Sequence, residues 1–220
     1  MKYSREFSSP NFSSQEISIE FAVLHYTAVS LKDTLTLFAD SAIGASAHFV
    51  VDVDGTVYEL VQALSGPALR AQHAGESRLE LDGKLWTGFN DFSIGIELVN
   101  ANGNMLEYRE PQYDSLIALL TELKQRYPAL ASPERVVGHE HIAGHRGKVD
   151  PGACFDWARV LQAVYPKEPL PARTPICSEA LLQCLLGLRG FVERSELETA
   201  WSGAFNVLLE SICKENQKRL

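Results

Sequence analysis

Three of the six histidines in this 220-residue chain, His139, His141 and His145, fall within a single short stretch. The run ERVVGHEHI, 134–142, has strand character, and on a strand His139 and His141 point to the same face. Such a pair is either part of a metal site or two ordinary imidazoles at a solvated loop. Two residues elsewhere bear on the choice. His25 stands at the end of another apolar run, IEFAVLH at 19–25, and Asp150 follows His139 by eleven positions, within Lys148-Val149-Asp150-Pro151-Gly152. Two neutral imidazoles and one carboxylate suit a divalent zinc ion at low net charge and leave a fourth tetrahedral position for water, the mark of a catalytic site. Spacing alone does not prove such a site.

The elements that must position these groups follow from local pattern. IEFAVLH reads as a short buried strand that delivers His25 to its end. Leu31, Leu35, Phe38, Ala39 and Ala42 form one helical face, with Ser30 placed as its cap and Gly44 as its end. SAHFVVDVDGTVYELV contains two strand-like runs around Asp54-Gly55, a strong hairpin signal. Residues 62–92 carry four glycines and a proline without sustained period and read as a long loop region, of a length that is usually functional. SIGIELVN, 93–100, is a second buried strand. A helix opening near Pro111 takes its apolar stripe from Leu116, Leu119, Leu120, Leu123 and Tyr127. A last helix runs from about Asp156 to Tyr165. Strands alternating with helices predict an α/β fold, with a mixed central β-sheet flanked by helices.

The domain reading is a polar N-terminal segment at 1–18, a catalytic domain at 19–165, a proline-rich linker at 166–176 and a helical C-terminal extension at 177–220, whose second helix opens with the capping box Ser195-x-x-Glu198. Phe191, Trp201 and Phe205 in that extension serve either as helix packing or as a sugar-binding strip.

Composition narrows the function classes. With 20 basic and 28 acidic side chains the formal charge is -8, which argues against nucleic-acid binding. No run reaches the ~20 apolar residues of a membrane span. The N-terminus lacks the apolar segment of a secretory signal, so a cytoplasmic location is expected. The four cysteines, Cys154, Cys177, Cys184 and Cys213, contain no CxxC pair and read as buried thiols in a reducing compartment.

Six segments, in order, carry a family resemblance: VLHYT around His25, SAHFVVDVDGTVYELV, QHAG at 72–75, NDFSIGIELVN from Asn90, VVGHEHIAG around His139, and KVDPGACFDW from Lys148. Together they resemble the motifs of zinc-dependent N-acetylmuramoyl-L-alanine amidases, and most of all the branch that recycles 1,6-anhydro-muropeptides in the bacterial cytoplasm. The resemblance covers about 19–165 and implies the amidase/peptidoglycan-recognition fold. It implies a Zn2+ cofactor held by His25, His139 and Asp150, and removes His141 and His145 from that role.

The same resemblance implies that Glu97 is the catalytic carboxylate, taking a proton from water and passing it to the departing amine. Lys148 becomes the cation that stabilises the oxyanion of the tetrahedral intermediate. Without it, Glu97 would read as a surface-facing strand residue and Lys148 as a solvated loop lysine. His73 lies in the family's WHAG motif, which lines the substrate groove, although here Gln72 replaces the tryptophan. His48 is either a packed core histidine or a substrate contact. Asn90 either holds its loop or touches the peptide.

The family pattern GHxxIAPGRKxDPG reads here as GHEHIAGHRGKVDPG, one residue longer, so a bulge is expected near His145 to Gly147. The substrate implied is a muropeptide or peptidoglycan; the oligomeric state is left open. Two rival readings are a lytic amidase acting on intact wall and a recognition module that binds without cleaving. Such modules typically lack a zinc ligand.

Overall fold

The computed structural model describes residues 1–171 of the chain. The linker beyond that point and the helical extension at 177–220, with Ser195, Phe191, Trp201 and Phe205, lie outside the described residues, as do Cys177, Cys184 and Cys213.

Ten strands and four α-helices make a mixed α/β architecture among the described residues. In chain order the strands are β1 (Lys2–Ser4), β2 (Phe12–Glu16), β3 (Phe21–Tyr26), β4 (Phe49–Val51), β5 (Thr56–Glu59), β6 (Leu69–Ala71), β7 (Arg78–Leu81), β8 (Lys84–Thr87), β9 (Ser93–Leu98) and β10 (Val136–Gly138). The helices are α1 (Leu31–Ala39), α2 (Glu110–Arg126), α3 (His139–Ala143) and α4 (Trp157–Val164). The main sheet has the order β1-β5-β4-β9-β3-β10, with β4, β9, β3 and β10 parallel and β5 antiparallel to β4.

Strand alternation divides the sheet into two chemically different faces. Ala22, Leu24, Ile94, Ile96, Leu98, Phe49 and Val51 meet the stripe of α2 and the buried side of α4 in one large apolar core. The opposite face carries Phe21, Val23 and His25 on β3, and Ser93, Gly95 and Glu97 on β9. His25 and Glu97 are register partners close to the carboxyl ends of their strands. That end of a parallel sheet is where α/β folds place their ligands.

Local chemistry explains most boundaries. Ser30 accepts the Asp33 N–H and caps α1, and Asp156 accepts the Arg159 N–H and caps α4. Asp54-Gly55 turns β4 into β5, with Gly55 at φ 83° and pressed against Pro111 of α2. Helix α1 ends at Ala39, five residues before Gly44, because Asp40 has left the helical region at ψ 115°.

The structure differs from expectation in three places. The strand expected over 134–142 stops at Gly138, and His139 opens a short helix in which the His141 Nδ1 accepts the Gly138 N–H at 2.7 Å. His139 and His141 therefore do not share a face. The region 62–92 contains β6 and a β7–β8 hairpin whose turn residues Asp82 and Gly83 both adopt positive φ. The segment 1–18, read from sequence only as polar, carries two strands: β1 extends the main sheet beside β5, and β2 pairs with β6. Tyr3 donates to Glu59 at 2.6 Å, and the Asn11 side chain donates to the Asp40 and Ala45 carbonyls. The N-terminal segment thereby braces the α1–β4 loop, which forms one wall of the cleft described next.

Candidate active site

His25 arrives from the end of β3, His139 from the first turn of α3, and Asp150 from the loop before α4. Their donor atoms converge. His25 Nδ1, His139 Nδ1 and Asp150 Oδ2 are each 3.0 Å from the other two. All three residues are buried, and they are the group of potential metal ligands found among the described residues. A tetrahedral ion with bonds of ~2.0–2.1 Å needs donor atoms about 3.3 Å apart, so a near-equilateral triangle of this size fits zinc closely.

The electrostatics agree with that fit. Burial pushes the His25 imidazole down to about 4, with His139 adding to the effect and the Asp150 hydrogen bond opposing it. Burial acts to raise Asp150, but His139 and His25 more than offset it and hold the carboxyl well below the ordinary carboxylate range. A neutral imidazole and an ionised carboxylate are the states that bind a divalent cation.

Glu97 stands beside this triad. Burial, and then the Asp150 charge, push its carboxyl up to about 8 against the opposing pull of Lys148. Its Oε2 is buried without a hydrogen-bond partner, a polar atom that the fold itself leaves unsatisfied. Glu97, Lys148, His25, His73, His139 and Asp150 line a common cleft of about 400 Å³. Gly144–Arg146 forms a 3-10 turn that ends at Gly147, at φ 79°, and Lys148 follows it into the cleft wall. Arg146 anchors that turn by donating to the Ala74 carbonyl at 3.1 Å and to the Glu76 carbonyl at 2.5 Å.

The remaining expected residues fall into different roles. His73 lines the cleft and also lies 3.1 Å from His25 through its Nδ1. Asn90 is buried, and its Oδ1 accepts the N–H groups of both His73 and Ala74 while its amide donates to Gln72. It holds the loop. His48 differs from the substrate contact entertained from sequence. It is fully buried, its Nε2 donates to the Leu69 carbonyl at 2.8 Å, and its Nδ1 accepts the Gly95 N–H at 3.0 Å. With both nitrogens engaged by backbone, His48 ties β9 to the chain at β6 and is absent from the cleft wall. Neither His141 nor His145 joins the triad; the His141 ring packs 5.3 Å from Trp157.

Sequence reasoning did not reach Ser93, Gly95 or the Ala74 carbonyl. The His73 ring lies so close over Gly95 that a Cβ there would overlap it. Ser93 is fully buried and bonded to the same ring. The small residues at 93 and 95 were a signal within SIGIE, but only the fold shows what lies above them.

A mixed sheet with a parallel centre, bearing at the carboxyl end of that centre a buried His-His-Asp triangle and an unpartnered carboxylate, defines an α/β domain with a candidate mononuclear metal centre. The family model for N-acetylmuramoyl-L-alanine amidase matches residues 15–153, well over half of the chain. The chain belongs to the N-acetylmuramoyl-L-alanine amidase family. It is 40% identical over 121 residues to the 1,6-anhydro-N-acetylmuramyl-L-alanine amidase AmpD of Citrobacter freundii, covering 55% of this chain and 58% of that protein. It is 39% identical over 123 residues to the AmpD of Escherichia coli K12, covering 56% and 60%. The matched part thus spans less than two thirds of these relatives. The fold is similar to a selenomethionine AmpD crystal structure, with TM-score 0.57, 32% identity and coverage of 74% of this chain and 93% of that one. It is also similar to AmpDh3 of Pseudomonas aeruginosa solved with anhydromuramic pentapeptide, with TM-score 0.57, 26% identity and coverage of 89% and 86%.

Proposed function

We propose that this chain is a zinc-dependent amidase that hydrolyses the bond between the lactyl group of N-acetylmuramic acid, in its 1,6-anhydro form, and the L-alanine of the stem peptide. The observation that carries the reading is the triangle of His25, His139 and Asp150 beside an unpartnered Glu97. The names of the AmpD relatives and the anhydromuramic ligand of the Pseudomonas protein support the substrate class.

A bound zinc ion supplies Lewis-acid polarisation of the amide carbonyl and brings the pKa of water toward ~7. The chain supplies the rest. Glu97 receives the proton of the attacking water at its unpartnered Oε2 and returns it to the alanine nitrogen as the C–N bond breaks, so that the lactyl carboxylate and a free peptide amine are the products. Burial raises the Glu97 carboxyl above the ordinary carboxylate range, the direction that suits a group taking a proton and then giving it back. Lys148, a residue of the cleft lining, supplies the positive charge for the negative charge that develops on the carbonyl oxygen. His73 and Gln72 form part of the same wall, and we assign them to substrate contact.

The formal charge of -8 gives no long-range attraction to the anionic polymers of an intact wall and favours small soluble fragments. Recycling of such fragments in the cytoplasm is the setting this implies. Turnover of soluble anhydro-muropeptides against turnover of intact sacculi tests it. Preference for the soluble substrate supports the recycling role, and preference for sacculi replaces it with a lytic one.

A further inference from the structure

We infer that His73 and the Ala74 carbonyl form a single outer cradle that fixes both ligand imidazoles with Nδ1 toward the metal; the inference rests on the zinc reading above. Its logic is a chain of donors that can run in one direction only. The Phe89 carbonyl can only accept, so the Ser93 hydroxyl, 2.5 Å away, donates to it. Ser93 Oγ therefore accepts from the His73 Nε2–H at 3.2 Å. With its proton on Nε2, the neutral His73 carries a lone pair on Nδ1 and accepts from the His25 Nε2–H at 3.1 Å. His25 is left with its lone pair on Nδ1, facing Asp150.

His139 reaches the same state by a shorter route. Its Nε2 lies 3.1 Å from the Ala74 carbonyl, which again can only accept, so the lone pair of His139 is also on Nδ1. Two backbone carbonyls, Phe89 and Ala74, thus dictate the tautomers of both imidazoles. The two arms meet in one dipeptide: His73 serves His25, and Ala74 serves His139. Asn90 Oδ1 accepts both N–H groups of that dipeptide, at 3.0 and 2.8 Å, and keeps the arms in register. His73 is in this account a positioning residue in addition to lining the cleft.

Outer partners of metal-bound histidines typically carry about 10–100-fold in metal affinity. The test is the zinc affinity of the full chain, measured by competition with a chromophoric chelator, for the wild type, His73→Leu and His73→Asn. Leucine removes the acceptor, whereas the asparagine oxygen replaces Nδ1. The expected result is a loss of about 10–100-fold for His73→Leu and recovery of most of it in His73→Asn. Equal affinity in all three overturns the cradle. A wild type that binds no zinc overturns the zinc reading itself, which keeps the two failures distinct. A second measurement needs no variant and so survives a His73→Leu chain that does not fold. Imidazole 15N NMR of the zinc-loaded wild type should show His25 and His139 protonated on Nε2, and protonation of either on Nδ1 overturns the inference.

Discussion

Glu97 lies directly opposite His25 across the parallel β9–β3 pair, with one carboxylate oxygen buried and unpartnered. The pairing places a proton acceptor beside a potential metal ligand without either being part of a loop, so strand register sets their separation. Replacing Glu97 by glutamine keeps the shape and removes the proton transfer. Turnover of an anhydro-muropeptide should fall by about 10²–10⁴-fold while zinc content stays at the wild-type level. Unchanged turnover would remove Glu97 from the chemistry.

Lys148 follows the Gly144–Arg146 turn into the cleft, and its proposed work is confined to the transition state. Lys148→Ala should lower kcat by about 10²–10³-fold with little change in KM. Steady-state kinetics decide between this and simple substrate binding, in which KM would rise and kcat would hold.

His48 offers a pH signature away from the chemistry. Burial pushes its imidazole from the ordinary 6.5 down to about 4, and protonating Nδ1 would break the bond from the Gly95 N–H. A folded-state value below the unfolded one gives stability that is complete above pH 6.5 and is lost as pH falls through the window from 6.5 to 4. The loss attributable to His48 is on the order of 3 kcal/mol at most. Denaturant melts at neutral pH and near pH 4.5 should show a smaller difference for His48→Gln than for the wild type.

Gly95 has room for no side chain beneath the His73 ring. Gly95→Ala should therefore displace that ring and cost about 1–3 kcal/mol in overpacking. A thermal melt at wild-type temperature would show that the ring relocates freely.

Much of this architecture was legible from local rules. The His25 strand, the Ser30 cap, the start of the last helix at Asp156, the Asp54-Gly55 hairpin and the leucine stripe of α2 are each set by a few neighbouring residues. Of the misread elements, two turn on near neighbours and one on distant residues. Val136-Val137-Gly138 makes too short a strand to carry His139, and the switch to helix is sealed when His141 bonds Gly138. The alternation in RLELDGKLWT, with Asp82-Gly83 at its centre, was a hairpin signal hidden among the glycines of 62–92. β1 is exposed and short, and only Glu59 and β5, more than fifty residues away, make it a strand. At the site, the sequence supplied candidate side chains through motif and resemblance. It did not supply the Ala74 carbonyl, which has no side-chain signature, nor the burial that takes His48 out of the cleft.

The most direct test of the central claim is hydrolysis of a purified 1,6-anhydro-N-acetylmuramyl peptide by the zinc-loaded full chain in 18O-labelled water, followed by mass spectrometry. The account predicts free stem peptide without label, a singly labelled lactyl carboxylate on the sugar, and loss of both products with chelator. Intact substrate, or label in the peptide instead of the sugar, would contradict it.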